Sequence, residues 1–192
     1  MVDEVKTGTR QRLLIAAETL LLTEPYDEVS VRGICVAAGA NAAAVHYHFG
    51  SKEALVGALI EDRLGPLWAD GLARASAGRD SLPAVVDTIL APFVQLAGDP
   101  MGRLHLRLLS RFVLGRHLTT WRGPWFRMGT WVTLLPEVSD RESRRRWMLA
   151  FDLIIMRFVS PEIEEHGMAQ PDLETLRDFV VAGLTAPTGE QL

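Results

Sequence analysis

The sequence predicts an all-helical protein, and three observations predict it. Apolar residues recur at i, i+3 and i+4 along most of the chain. No period-two run of useful length appears, and Ser, Thr, Asn, Gly and Pro fall where helices need caps and stops. About nine helices are expected across 192 residues, as an N-terminal three-helix unit over 1–54 and a helical body over 55–192. A hydrophobic content of 48% and a mean hydropathy of +0.11 exclude a disordered chain and leave apolar surface to spare for an oligomer.

The first helix is expected to begin at Thr9 as N-cap, to carry Leu13, Leu14, Ala17, Leu20 and Leu21 on one stripe, and to stop at Pro25. Ser30 caps a second, which ends before Gly39, a residue able to take the left-handed exit. Asn41 caps a very short third, which Gly50 breaks. Ser51 starts a fourth with Glu53 in its first turn; it runs towards Ala77 and is kinked where Pro66 crowds the carbonyl of Asp62. The body follows with helices at 82–97, 101–114, 121–135, 140–160 and 172–186, the fourth of these opened by a Ser139-x-x-Glu142 capping box.

The net charge of −4 argues against a generic nucleic-acid binder, and the first 55 residues hold five basic and seven acidic side chains. A DNA-facing surface here must gather its cations in space. No apolar run reaches the roughly 20 residues of a membrane span, and Asp3 and Glu4 spoil a signal peptide. The single cysteine, Cys35, excludes an internal disulfide and suits a reducing cytoplasm; it reads as a small buried hydrophobe before it reads as a redox switch.

Residues Ser30 to Glu53 carry the functional signal: two short helices joined by a glycine turn and followed at once by a third helix start. A helix enters a major groove only if its groove face is small, and Ala42, Ala43 and Ala44 permit that approach. Val45 and Phe49, spaced i, i+4, pack inward and leave His46, Tyr47 and His48 at the groove edge as phosphate donors. Lys52 adds a cation at a helix N-terminus that already favours an anion, and Ser30, Arg32 and Asn41 complete the expected DNA-binding set. This stretch resembles the DNA-binding domain of the tetracycline-repressor (TetR) family of bacterial regulators over Thr9 to about Leu64. The resemblance rests on Y-H-F-G-S-K-E at Tyr47–Glu53 and A-A-G-A-N at Ala37–Asn41. The family often has Thr at the position of Ala44 and Tyr at that of His46, so base reading falls to Arg32, Asn41, methyl contacts and DNA shape.

In the body, Arg103, Arg107 and Arg111 form a stripe expected to face solvent, with His105 on the apolar side as a core or pocket residue. Trp121, Trp125, Phe126, Met128 and Trp131 make a helix apolar all round, which with Leu109 and His105 is expected to wall a small-molecule pocket. Trp147, Phe151, Ile154, Ile155 and Phe158, with Leu176, Phe179, Val180 and Leu184, are expected to form a two-fold four-helix dimer interface, which the resemblance also implies. Arg144–Arg146 reads as a solvated rim.

No catalytic constellation, phosphate-binding loop or zinc spacing is visible, and no metal or cofactor is expected. The expected function is a cytoplasmic homodimeric repressor released from a palindromic operator by an unknown small-molecule effector. The alternative is a helical small-molecule-binding or oligomerisation protein whose N-terminal domain has lost sequence-specific DNA binding.

Overall fold

A computed structural model describes residues 2–78, 80–115 and 121–187, with side chains from Gly8 onward, so those of Asp3, Glu4 and Lys6 lie outside the described residues. Among the described residues there are ten α-helices, one 3-10 turn and no strand. Helices α1 (Val2–Thr23), α2 (Val31–Ala37) and α3 (Ala44–Phe49) build the head, and α4 (Lys52–Ser76) leads from it into the body. The body holds α5 (Leu82–Ala97), α6 (Pro100–Leu114), a 3-10 turn (Pro124–Phe126), α7 (Met128–Val132), α8 (Asp140–Phe158), α9 (Pro161–His166) and α10 (Gln170–Thr185).

The caps explain most boundaries. Ser30 Oγ accepts from the Gly33 amide and Ser51 Oγ from the Ala54 amide, each satisfying a free donor of a first turn. Gly39 and Gly50 have φ of +57° and +87°, so the two turns bounding the third helix need glycine. Asn41 lies two residues before the N-cap instead of occupying it: its Oδ1 accepts from the Ala43 amide, and Ala43 is the residue that precedes α3. Ser139 caps α8 by accepting from the Glu142 amide, while the Glu142 carboxylate turns away to Arg146.

Three further points differ from expectation. Helix α1 starts at Val2 instead of Thr9, and no proline stands in the sequence before Gly8 to stop it. The expected 121–135 helix is split: Pro124 starts a 3-10 turn, Arg127 is extended, and Trp131 Nε1 donates to Trp125 O across the break at 2.8 Å. Helix α9 was not expected; Pro161 opens it and Gly167 ends it within six residues, too short for periodicity to register.

The body is layered around α4, α5, α6 and α8, with α10 against α5 and α8, and α7 against α8. One continuous apolar core runs from Leu13 in α1 to Leu184 in α10. This corrects the dimer-interface expectation. Trp147, Ile154, Ile155 and Phe158 of α8 and Leu176, Val180 and Leu184 of α10 are buried within the single chain, because α5, α7 and each other cover them. Arg146 is also buried rather than solvated, donating to Glu142 and to Leu184 O. The arginine stripe of α6 is tied down as well: Arg103 donates to Ala97 O, Arg107 to Glu164 and Arg111 to Asp27. No helix among the described residues is long and apolar enough to cross a membrane.

Candidate nucleic-acid interface and body cavity

The second and third helices pack on α1 and on the start of α4 through Ile34, Cys35, Ala38 and Val45. Ser30, Arg32, Asn41, Ala42, Ala43, His46 and Tyr47 lie exposed on the outer side of this unit, with His48 half-buried against the Tyr47 ring at 5.0 Å. Ala44 does not join them. It is buried in the head core, one turn before His48, so the small outward edge consists of Ala42 and Ala43. His46 Nδ1 lies 2.9 Å from Gly50 O, an acceptor that fixes the ring over the turn. Cys35 is buried with Sγ 3.5 Å from Ala42 O, a packing position.

Lys52 is placed differently from expectation. Its Nζ donates to Tyr26 O at 2.9 Å and Val29 O at 3.0 Å, and sits 4.3 Å from the Tyr26 ring centroid. The helix start turns the ammonium inward onto the loop between α1 and α2, where two carbonyls with no helix to pair them need donors. On the same ring lies the Arg111 guanidinium of α6, 4.2 Å from the centroid. Burial pushes the Tyr26 hydroxyl up to about 12, with the nearby Glu53 charge adding to it. The Tyr26 ring thus gathers cations from α4 and from α6.

The body holds a cavity of about 500 Å³, within the range of small-molecule sites. Leu109, Trp121, Trp125, Phe126, Met128 and Trp131 line it. His105 does not; it is buried and faces α1 instead. Phe151 and Ile155, expected at a dimer interface, line the cavity, with Met148, Arg144 and Asp152 from the same helix. Trp121 and Phe126 stack at 4.8 Å with planes 18° apart, and Phe112 meets Trp121 edge-on at 6.4 Å.

The wall segment 121–126 is fastened to α4. Glu61 accepts from the backbone amides of Arg122 and Gly123, the latter at 2.7 Å. The indole of Trp125 lies on Gly65, where a Cβ would stand 2.6 Å from Nε1. Gly65 therefore permits the cavity wall to touch the backbone of the helix that enters the head.

Residues 13–59 match the family model described as bacterial regulatory proteins, tetR family. The N-terminal head is a TetR-family domain. Solved structures share the whole-chain fold. NalD of Pseudomonas aeruginosa, the secondary repressor of the MexAB-OprM multidrug efflux pump, aligns with a TM-score of 0.65 at 23% identity, covering 96% of this chain and 99% of its own. The TetR-family regulator SCO0857 of Streptomyces coelicolor A3 aligns at 0.58 and 19%, covering 93% and 96%. The TetR-family repressor AlkX of a Dietzia species, implicated in biodegradation of n-alkanes, aligns at 0.54 and 16%, covering 91% and 94%. At these identities the likeness is one of fold. A comparison with curated protein sequences returns no match.

The TetR-family head is joined to the body by a group that periodicity did not reveal. Glu18 of α1 accepts two bonds from Arg63 of α4, each 2.8 Å, and one from His105 of α6 at 2.8 Å. Burial alone pushes the Glu18 carboxyl up, but the Arg63 and His105 hydrogen bonds outweigh it and hold it below its ordinary value. The available signal was a glutamate beside an apolar stripe, at the position after buried Ala17. Among the described residues no group of three or more His, Cys, Asp or Glu is placed to hold a metal.

Proposed function

We propose that this protein is a homodimeric transcriptional repressor that binds a palindromic operator through its TetR-family head and is released by a small molecule in the body cavity. The observation that carries the reading is the outer edge of the head. Ala42 and Ala43 are small and exposed while Ala44 and Val45 are buried, which leaves a narrow ridge flanked by Arg32, Asn41, His46, Tyr47 and His48. A ridge of methyl groups enters a major groove, and the flanking donors suit phosphates on either side. Lys52 supports the loop behind this ridge and is assigned no phosphate.

The head occupies about residues 1–54 and the effector and dimerisation body 55–192, with α4 common to both. A second copy is assigned to the face of α8 and α10 where Leu149, Met156 and Phe179 are 70%, 60% and 68% exposed. These three apolar side chains on two adjacent helices favour a four-helix pairing about a two-fold axis. Such pairing sets two heads for half-sites about 34–36 Å apart.

Selection of bound duplexes from a random library by the full-length protein, followed by footprinting upstream of its own gene, tests the reading. The expected result is one enriched palindrome, protected in both half-sites. Enrichment of no sequence above random DNA would overturn it.

A further inference from the structure

We propose that the body cavity takes a flat polycyclic organic cation, with its positive charge beside Asp152. The proposal rests on the reading of this cavity as the effector site and names the chemistry that site selects. The parallel Trp121 and Phe126 rings, with Phe112 edge-on and Trp131 and Phe151 meeting at 5.0 Å, form walls that suit a planar guest. Aromatic faces attract cations and repel anions. Asp152, half-buried beside Phe151 on the same wall, has no hydrogen bond or ion pair among the described residues. A carboxylate set in an aromatic wall without a partner favours a cation far more than it would in water.

Arg144 also lines the cavity, but it is exposed and lies eight residues before Asp152 on the same helix. That separation is about 12 Å along the axis, no ion pair links the two side chains, and the long exposed arginine can keep its charge in water at the mouth. Met148 lies between the two and offers a soft apolar contact to the ring system. The wall therefore presents one fixed negative charge among aromatic faces.

Three tricyclic probes of nearly equal size test this near neutral pH: proflavine as a cation, acridine as a neutral frame, and anthracene-2-carboxylate as an anion. Binding to the full-length protein is read by quenching of tryptophan fluorescence, without DNA. The expected result is proflavine at least about tenfold tighter than acridine, with the anion weakest. Asp152→Asn should abolish the preference for proflavine and leave acridine affinity unchanged, which also reports an intact cavity. Equal affinity for all three probes, a proflavine preference that survives Asp152→Asn, or an anion preference lost in Arg144→Ala would each overturn the proposal. Charge-blind binding together with a protected operator removes the ligand assignment and leaves the repressor reading. Selective proflavine binding without any protected operator does the reverse.

Discussion

His105 Nε2 lies 2.8 Å from Glu18 Oε1, which joins a body helix to the first helix of the head inside the protein. Arg63 completes the group by donating to both Glu18 oxygens. Three helices, α1, α4 and α6, meet on one carboxylate. A carboxylate so placed fixes an angle between head and body, because moving either helix breaks charge-assisted bonds that water replaces poorly.

Glu18→Ala should destabilise the protein by about 3 kcal/mol, since it leaves Arg63 and His105 facing an apolar gap. The pH dependence follows from the lowered Glu18 value. The folded group holds its proton less tightly than the unfolded one, so its stabilisation is complete above the ordinary value of 4.5 and is lost as pH falls through the lower folded value. Thermal melts of wild type and Glu18→Ala are expected to differ by a constant amount near neutral pH and to converge in acid. A gap that persists unchanged well below that value would show that the Glu18 charge does not stabilise the junction.

Lys52→Ala should act on stability and not on the ionic part of DNA binding. The variant removes two hydrogen bonds from an ammonium and its contact with the Tyr26 ring, a loss of about 2 kcal/mol by denaturant unfolding. Arg32→Ala is the counterpart: Arg32 is exposed on the outer side of the head, so its loss should flatten the salt slope of operator binding by about one. An anisotropy titration over a range of salt concentrations separates the two. A flattened slope for Lys52→Ala at unchanged stability would reverse these assignments.

The contrast between these residues shows what the sequence could carry. Caps, glycine exits and apolar stripes are local, so Ser30, Gly39, Gly50, Ser51 and the 82–97 helix were legible from spacing alone. Where a side chain points beyond its own helix is a long-range matter. Lys52 faces carbonyls 23 and 26 residues earlier, and His105 meets a carboxylate 87 residues away. The aromatic run at 121–131 was legible as a cavity wall but not as a broken helix, because periodicity survives the extended Arg127 while the hydrogen-bond ladder does not. Most of the residues expected at a dimer interface turn inward for a related reason. Helix α8 is apolar on more than one side, and only the tertiary arrangement decides that Trp147 goes inward and Leu149 outward.

Oligomeric state is expected to depend on the outward set. Replacing Leu149 and Phe179 with Arg places charge on an apolar face without touching the core, so each chain keeps its fold. Sedimentation velocity should then find monomers at concentrations where the wild type is dimeric, with helical content unchanged. A wild-type dimer that tolerates both substitutions would move the interface elsewhere. Tight operator binding should disappear with the dimer, since each half-site then binds alone.

At Gly65 the indole of Trp125, a cavity-wall residue, bears directly on the backbone of α4, and this contact offers the sharpest test of their coupling. A methyl group there would stand 2.6 Å from Trp125 Nε1 and 2.7 Å from Cζ2, closer than packed atoms allow. Gly65→Ala must therefore lift the indole or shift α4, while the added Cβ itself favours the helix. Glu61 holds the adjacent backbone at Gly123, so the displacement is taken up between Trp125 and the cavity. The expected outcome is a loss of about 1–3 kcal/mol in stability, altered quenching of tryptophan fluorescence by bound probe, and a changed operator affinity without ligand. A smaller partner residue should relieve the clash, so Trp125→Phe in the Gly65→Ala background is expected to recover part of the stability, measured as a double-mutant cycle. Strict additivity of the two substitutions would mean that Trp125 and α4 are not in energetic contact, and the route from cavity to head would then run through Phe112 of the cavity wall, whose ring meets that of Tyr26 at 6.2 Å.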